Sequence, residues 1–137
     1  MREVIHAHGH ENVSATHGST FEVTTDDWLT PAGDCILGIE ADCAPADFDD
    51  DFLAACRDPD ATITVTLDAD GERERVQARG HPELTFESER SAVVRTSTYV
   101  DDRTVAVAAD AAADALDRQF VAELVTGGDL TVTLSVE

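Results

Sequence analysis

The stretch Thr62-Ile63-Thr64-Val65-Thr66-Leu67-Asp68-Ala69-Asp70-Gly71-Glu72-Arg73-Glu74-Arg75-Val76-Gln77-Ala78-Arg79 decides the reading of the fold. Ile63, Val65 and Leu67 alternate with Thr62, Thr64 and Thr66, which places the apolar side chains on one face of a strand. Asp70-Gly71 tolerates the positive φ that a tight hairpin turn requires. The sequence therefore predicts a hairpin of strands near 61–68 and 72–79, half buried as in an antiparallel sheet. The same alternation recurs at Leu130, Val132, Leu134 and Val136 against Thr131, Thr133 and Ser135. It recurs at Phe21 and Val23, and at Leu84 and Phe86. Residues 35–41 are apolar on both faces, through Cys35, Ile36, Leu37 and Ile39, and predict a central strand.

Two segments break the pattern. Asp47 is expected to cap a helix running to about Cys56, with Asp49, Asp50 and Asp51 in the first turn, where the helix dipole favours anions. Phe48 and Phe52 share its buried face. A second helix is expected from about Asp110 to Thr126 on the stripe Leu116, Phe120 and Leu124, ended by Gly127-Gly128. No internal repeat, low-complexity tract or linker is evident. The chain thus reads as a single domain over 1–137, mainly β, with about eight or nine strands. An antiparallel β-sandwich or partly open barrel with two peripheral helices fits that pattern.

The 137 residues carry 29 acidic and 9 basic side chains, a formal charge of −20, and every basic residue is arginine. Without lysine there is no phosphate loop ending in Gly-Lys-Ser/Thr, no Schiff base to pyridoxal phosphate and no kinase strand lysine. The 42% hydrophobic content argues against a disordered acidic tail. Two readings of the charge stand: a basic partner, or a cytoplasm at molar salt, where screening shrinks to about 3 Å. The acids are spread along the chain rather than blocked into a docking patch, which points to salt adaptation, of halophilic type. No signal core or membrane-spanning run is read, so a cytoplasmic location is expected. Cys35, Cys43 and Cys56 have no metal-knuckle spacing and read as reduced thiols.

Three groups could carry chemistry. His6, His8 and His10 would share one face if residues 4–10 form a strand, with His17 close behind; imidazoles suit a divalent transition metal such as zinc. Exposed imidazoles without a metal are the plainer account. Gly33-Asp34-Cys35 offers a carboxylate beside a thiol, a possible acid/base and nucleophile pair, or simply a turn before a buried cysteine. Arg95 and Arg103, each near hydroxyls, could clamp an anion or pair with carboxylates. Arg73, Arg75 and Arg79 read as charges guarding an edge strand. Nucleic-acid binding fits poorly: there is no basic stripe and no aromatic platform.

Several motifs together carry a family resemblance: Gly9-His10-x-Asn12, His17-x-x-Thr20-x-Glu22-x-Thr24, and Leu29-Thr30-x-x-Gly33-Asp34-Cys35-Ile36-x-Gly38. Gly80-His81-Pro82-x-Leu84, Val94-Arg95-x-Ser97 and Arg103-Thr104 continue it. The chain resembles an archaeal family, domain of unknown function 371. The resemblance implies a β-sandwich of jelly-roll type with peripheral helices. It marks His10, His17, Glu22, Asp34, Cys35, His81, Arg95 and Arg103 as pattern residues. Weight moves from His6 and His8 to His10, His17 and His81 as a metal set, with Glu22, Arg95 and Arg103 as ligand-binding residues and Asp34 and Cys35 as catalytic candidates. The leading expectation is a binding module for a small anionic ligand or a metal. A metal- or thiol-dependent hydrolase and an interaction domain without a chemical site are the alternatives; the oligomeric state is left open.

Overall fold

The computed structural model describes residues 1–137. Eight strands and two helices follow in the order β1 (Arg2–His8), β2 (Thr20–Thr24), β3 (Ile36–Gly38), α1 (Asp50–Cys56) and β4 (Thr62–Ala69), then β5 (Glu72–Arg79), β6 (Ser91–Arg95), β7 (Thr104–Ala106), α2 (Arg118–Val125) and β8 (Asp129–Val136). The hairpin forms as the sequence predicts. β4 and β5 pair antiparallel, and Asp70 and Gly71 turn between them with φ of 50° and 88°. Ile63, Val65 and Leu67 are fully buried.

The strands make two four-stranded sheets, in the orders β1-β8-β4-β5 and β3-β2-β6-β7. The first is antiparallel throughout. In the second, β2 and β6 pair antiparallel, but the flanking pairs β2–β3 and β6–β7 run parallel. Ile5, Leu67, Val132 and Leu134 of the first sheet and Phe21, Val23, Ala92 and Val94 of the second line one apolar cavity of about 10 Å³, so the interior between them is nearly filled.

Three local expectations need correction. Residues 35–41 are not a central strand: β3 is three residues long and lies at a sheet edge, its double-sided apolarity arising because Leu37 and Ile39 enter the core while Ile36 borders a cleft. Leu84 and Phe86 are buried anchors of a loop, not a strand; Phe86 has φ 50°, which no strand allows. Both helices start later than expected. Asp49, not Asp47, caps α1 by accepting from the Asp51 amide, while Asp47 closes the preceding 3-10 turn by accepting from Ala44. Likewise Asp117 caps α2, after an extended Leu116.

The chain also contains the repeat that its sequence conceals. Residues 2–69 and 72–136 each run strand, strand, short strand, 3-10 turn, helix, strand. Backbone hydrogen bonds recur between equivalent positions. Glu22 N donates to Cys35 O as Val93 N does to Arg103 O; Gly9 N donates to Gly128 O as Gly80 N does to Ala61 O; Thr25 N donates to Arg90 O as Thr96 N does to Ser19 O. A pseudo-two-fold axis passes through the Glu22–Val93 pair of one sheet and the Thr66–Thr133 pair of the other. The halves are interlocked: β1 of the first pairs with β8 of the second, and β4 of the first with β5 of the second.

The two Gly-His pairs mark the joints. A Cβ on Gly9 would lie 1.9 Å from the carbonyl oxygen of Leu124 in α2, and one on Gly80 would lie 2.2 Å from that of Cys56 in α1. Each glycine thus lets the chain pass against the C-terminal end of a helix that no other residue could approach. Gly9→Ala and Gly80→Ala are each expected to destabilise the protein by about 2 kcal/mol or more, because backbone, not a side chain, must move. Urea unfolding of the two variants checks this; wild-type stability in both would refute the packing account.

Candidate functional site

The predicted site residues fall into separate places. His10 Nδ1 accepts from the Asn12 amide at 2.9 Å, and His81 Nδ1 accepts from the Glu83 amide at 3.0 Å. These positions are equivalent in the two halves, so the same local bond is made twice. His17 Nδ1 accepts from the amides of Ser19 and Thr20, as its counterpart Ser88 Oγ accepts from those of Arg90 and Ser91. An imidazole that a serine replaces in the other half is a turn acceptor. The three histidines do not assemble, and no three His, Cys, Asp or Glu side chains group in a metal-holding arrangement. His6 and His8 lie on β1, but His10 is past its end. His8 instead bonds Gly9 O and Glu40, and these two contacts raise its pKa above the usual histidine value.

Glu22, Cys35, Arg95 and Arg103 do come together, at the centre and edges of the second sheet. Arg103 Nη1 lies 3.9 Å from Glu22 Oε1, and the Cys35 thiol points to the same oxygen at 3.8 Å. The arginines are joined by a residue the sequence reading missed: Asp101 Oδ2 accepts from Arg95 Nη2 at 2.9 Å and from Arg103 Nη2 at 3.0 Å. Its other oxygen accepts from the Thr104 hydroxyl and the Arg103 amide. Arg95 further donates to Thr104 Oγ1 and lies 4.9 Å over the Tyr99 ring. The signal was available in Asp101-x-Arg103-Thr104, where a carboxylate can accept from the amide two residues on.

Burial alone pushes the Asp101 carboxyl up. The Arg103 side chain and backbone, the Thr104 hydroxyl and the Arg95 charge outweigh it and hold the carboxyl at about 2. Burial, and then the Glu22 charge, push the Cys35 thiol up to about 11. A thiol so placed is protonated at neutral pH and is a poor nucleophile. Asp34 offers its backbone carbonyl to Thr16 and His17, and its side chain makes no hydrogen bond to Cys35. The pair therefore lacks the geometry of an acid/base and nucleophile couple.

Beside Glu22 opens a cleft of about 540 Å³. Its walls carry Asp26, Arg90 and Trp28 on one side and Asp102 and Arg103 on another, with Ser88 and Ser91 between. Arg90 is held by a bidentate pair with Asp26, which in turn holds that carboxyl below the usual range. Trp28 is 55% exposed. Glu22 is the buried charged residue of this cleft, at 9% exposure, and the Cys35 thiol is the one donor its side chain accepts from.

The fold and cleft define a mainly β protein of two interlocked halves with one charged cleft beside the pseudo-axis. Residues 5–137 match the model of the domain of unknown function DUF371, and the chain belongs to that family. An uncharacterized protein of Methanocaldococcus jannaschii is 36% identical over 136 residues, which cover 99% of this chain and the whole of that relative.

Two outcomes test this geometry. Native protein is expected to resist iodoacetamide at Cys35 at about pH 7.5, with labelling rising steeply only well above the ordinary thiol range. Peptide mapping reads it, and rapid labelling at neutral pH would restore the thiol chemistry. Asp101→Asn is expected to cost up to about 2 kcal/mol at neutral pH. Because the folded carboxyl titrates below the unfolded one, this difference is complete above about pH 5 and fades as pH falls through about 4 to 2. Denaturation of both proteins across that range measures it; a difference that does not shrink on acidification contradicts the assignment.

Proposed function

We propose that this protein binds a small zwitterion, its ammonium group on Glu22 and its anionic end on Arg103. The observation that carries this reading is Glu22: a largely buried acidic residue lining the cleft, whose side-chain contacts are the Cys35 thiol, donating at 3.8 Å, and an Arg103 guanidinium nitrogen at 3.9 Å. A carboxylate that accepts only from a thiol keeps acceptor sites open toward the cleft it lines, and a ligand ammonium is a donor that would fill them. Arg103 is about half exposed and lines the cleft, and with Nε and Nη2 on Asp101 its Nη1 makes no hydrogen bond. A purely anionic ligand fits less well, since Glu22, Asp26, Glu87, Glu89 and Asp102 oppose only Arg90 and Arg103 in the walls. The cleft volume lies within the range of small-molecule sites.

The same reading takes residues 1–137 as one domain, supported by a single cluster of 34 buried core residues. It takes the two sheets as leaves of a sandwich, a variant of the jelly-roll type in which two strand pairs run parallel. No helix is long and apolar enough to cross a membrane. The charge of −20 is read as the surface of a cytoplasmic protein adapted to molar salt, because the acids are dispersed.

Calorimetric titration with glycine, glutamate, a diamine and inorganic phosphate tests the ligand class. At least one amino acid is expected to bind saturably and more tightly than the diamine or phosphate. Glu22→Gln and Arg103→Ala are each expected to weaken it tenfold or more while the protein stays folded. No saturable binding of any amino acid, or equal binding by both variants, refutes the proposal.

A further inference from the structure

Six of the nine arginines are engaged. Arg73, Arg90, Arg95 and Arg103 pair with carboxylates, and Arg57 and Arg118 donate to backbone carbonyls. Arg2, Arg75 and Arg79 make neither a side-chain hydrogen bond nor an ion pair, in a chain with 29 acidic residues to choose from. All three stand on the outward face of the first sheet, Arg2 on its β1 edge and Arg75 and Arg79 on its β5 edge.

Between those edges the face is a floor of hydroxyls. Thr62, Thr64 and Thr66 of β4 stand beside Thr131, Thr133 and Ser135 of β8, with Thr66 directly opposite Thr133 on the pseudo-axis. These are the polar positions of the alternation whose apolar partners fill the core. The two arginine rows are about 14 Å apart, three strand spacings. A depression of about 460 Å³ lies over this floor. It is walled by Arg2, Arg75 and Gln77, and its one acidic residue is Glu137. On a surface of net charge −20, these arginines make no ion pair with any acid.

We propose that this face binds a phosphorylated polyol. A free guanidinium takes a phosphate through parallel N–H donors. Rows of hydroxyls and the Gln77 amide both donate and accept, which matches the hydroxyls of a sugar. Thr62, Thr66, Thr133 and Ser135 have no side-chain partner within the protein, so their hydroxyls are open to a ligand. The floor has no aromatic ring, so a nucleobase would find nothing to stack on.

Titration of the whole protein with glucose phosphate, glucose and inorganic phosphate tests this, at low and at molar salt. Glucose phosphate is expected to bind at least tenfold more tightly than glucose or phosphate alone. Arg75→Ala and Thr66→Val are each expected to weaken it tenfold or more without changing thermal stability. Glu22→Gln is expected to bind it as wild type, which separates this face from the cleft. The proposal fails if glucose phosphate binds no tighter than phosphate, or if Arg75→Ala binds it equally well. It fails also if only a long polyanion such as duplex DNA binds.

Discussion

The strand ladders of β1 and β4 are completed by strands of the other half of the chain. β1 is satisfied by β8, while β4 is flanked by β8 and β5. A half alone would leave these strands with open ladders facing an apolar interior, and unpaired buried backbone groups are strongly disfavoured. The exchange extends beyond the sheets: Gly9 reaches Gly128, and Gly80 reaches Ala61. Each half therefore completes the other, and the core of Phe52, Phe120, Ile5, Leu67 and Leu134 is shared between them.

That arrangement explains what was legible in the sequence. Alternation of Thr with Ile, Val and Leu reports local burial on one face, so β4, β5 and β8 could be read directly, as could the turn at Asp70-Gly71. Pairing partners are non-local and leave no periodic trace, so the parallel pairs β2–β3 and β6–β7 and the edge position of β3 were hidden. The repeat was hidden for a different reason. The loop between β2 and β3 is longer than that between β6 and β7, so equivalent positions slip from 71 apart at Gly9 and Gly80 to 68 apart at Asp49 and Asp117. Equivalent positions also keep roles rather than residues: His17 and Ser88 accept the same amides with different atoms.

The histidines show the same limit on the chemical side. Four of the five are clustered near the N-terminus, a density that suggests a metal. In the folded chain, His10, His17 and His81 each commit one ring nitrogen to a local backbone amide. Nδ1 of each closes a turn, and those turns sit at different joints of the pseudo-symmetric frame. Of the residues that do come together, Arg95 stood out because it lies in a largely apolar stretch, with Arg103-Thr104 following close behind, whereas Glu22 was marked only by the family resemblance.

Departure from symmetry is what makes a cleft. On the pseudo-axis, Glu22 stands opposite Val93, so one carboxylate is present where exact symmetry would place two alike. Thr24 is small and buried beside Ser91, and the space next to it stays open between Asp26, Arg90 and Trp28. The equivalent of Thr24 is Arg95, whose guanidinium bonds Asp101 and lies against Tyr99, the counterpart of Trp28. A long side chain anchored by its own ion pair fills on one side what a threonine leaves vacant on the other. Of the two arginines that read in the sequence as an anion clamp, Arg95 is thus the plug of one half, while Arg103 lines the cleft of the other. The other half, with Glu22 at its margin, keeps that space open.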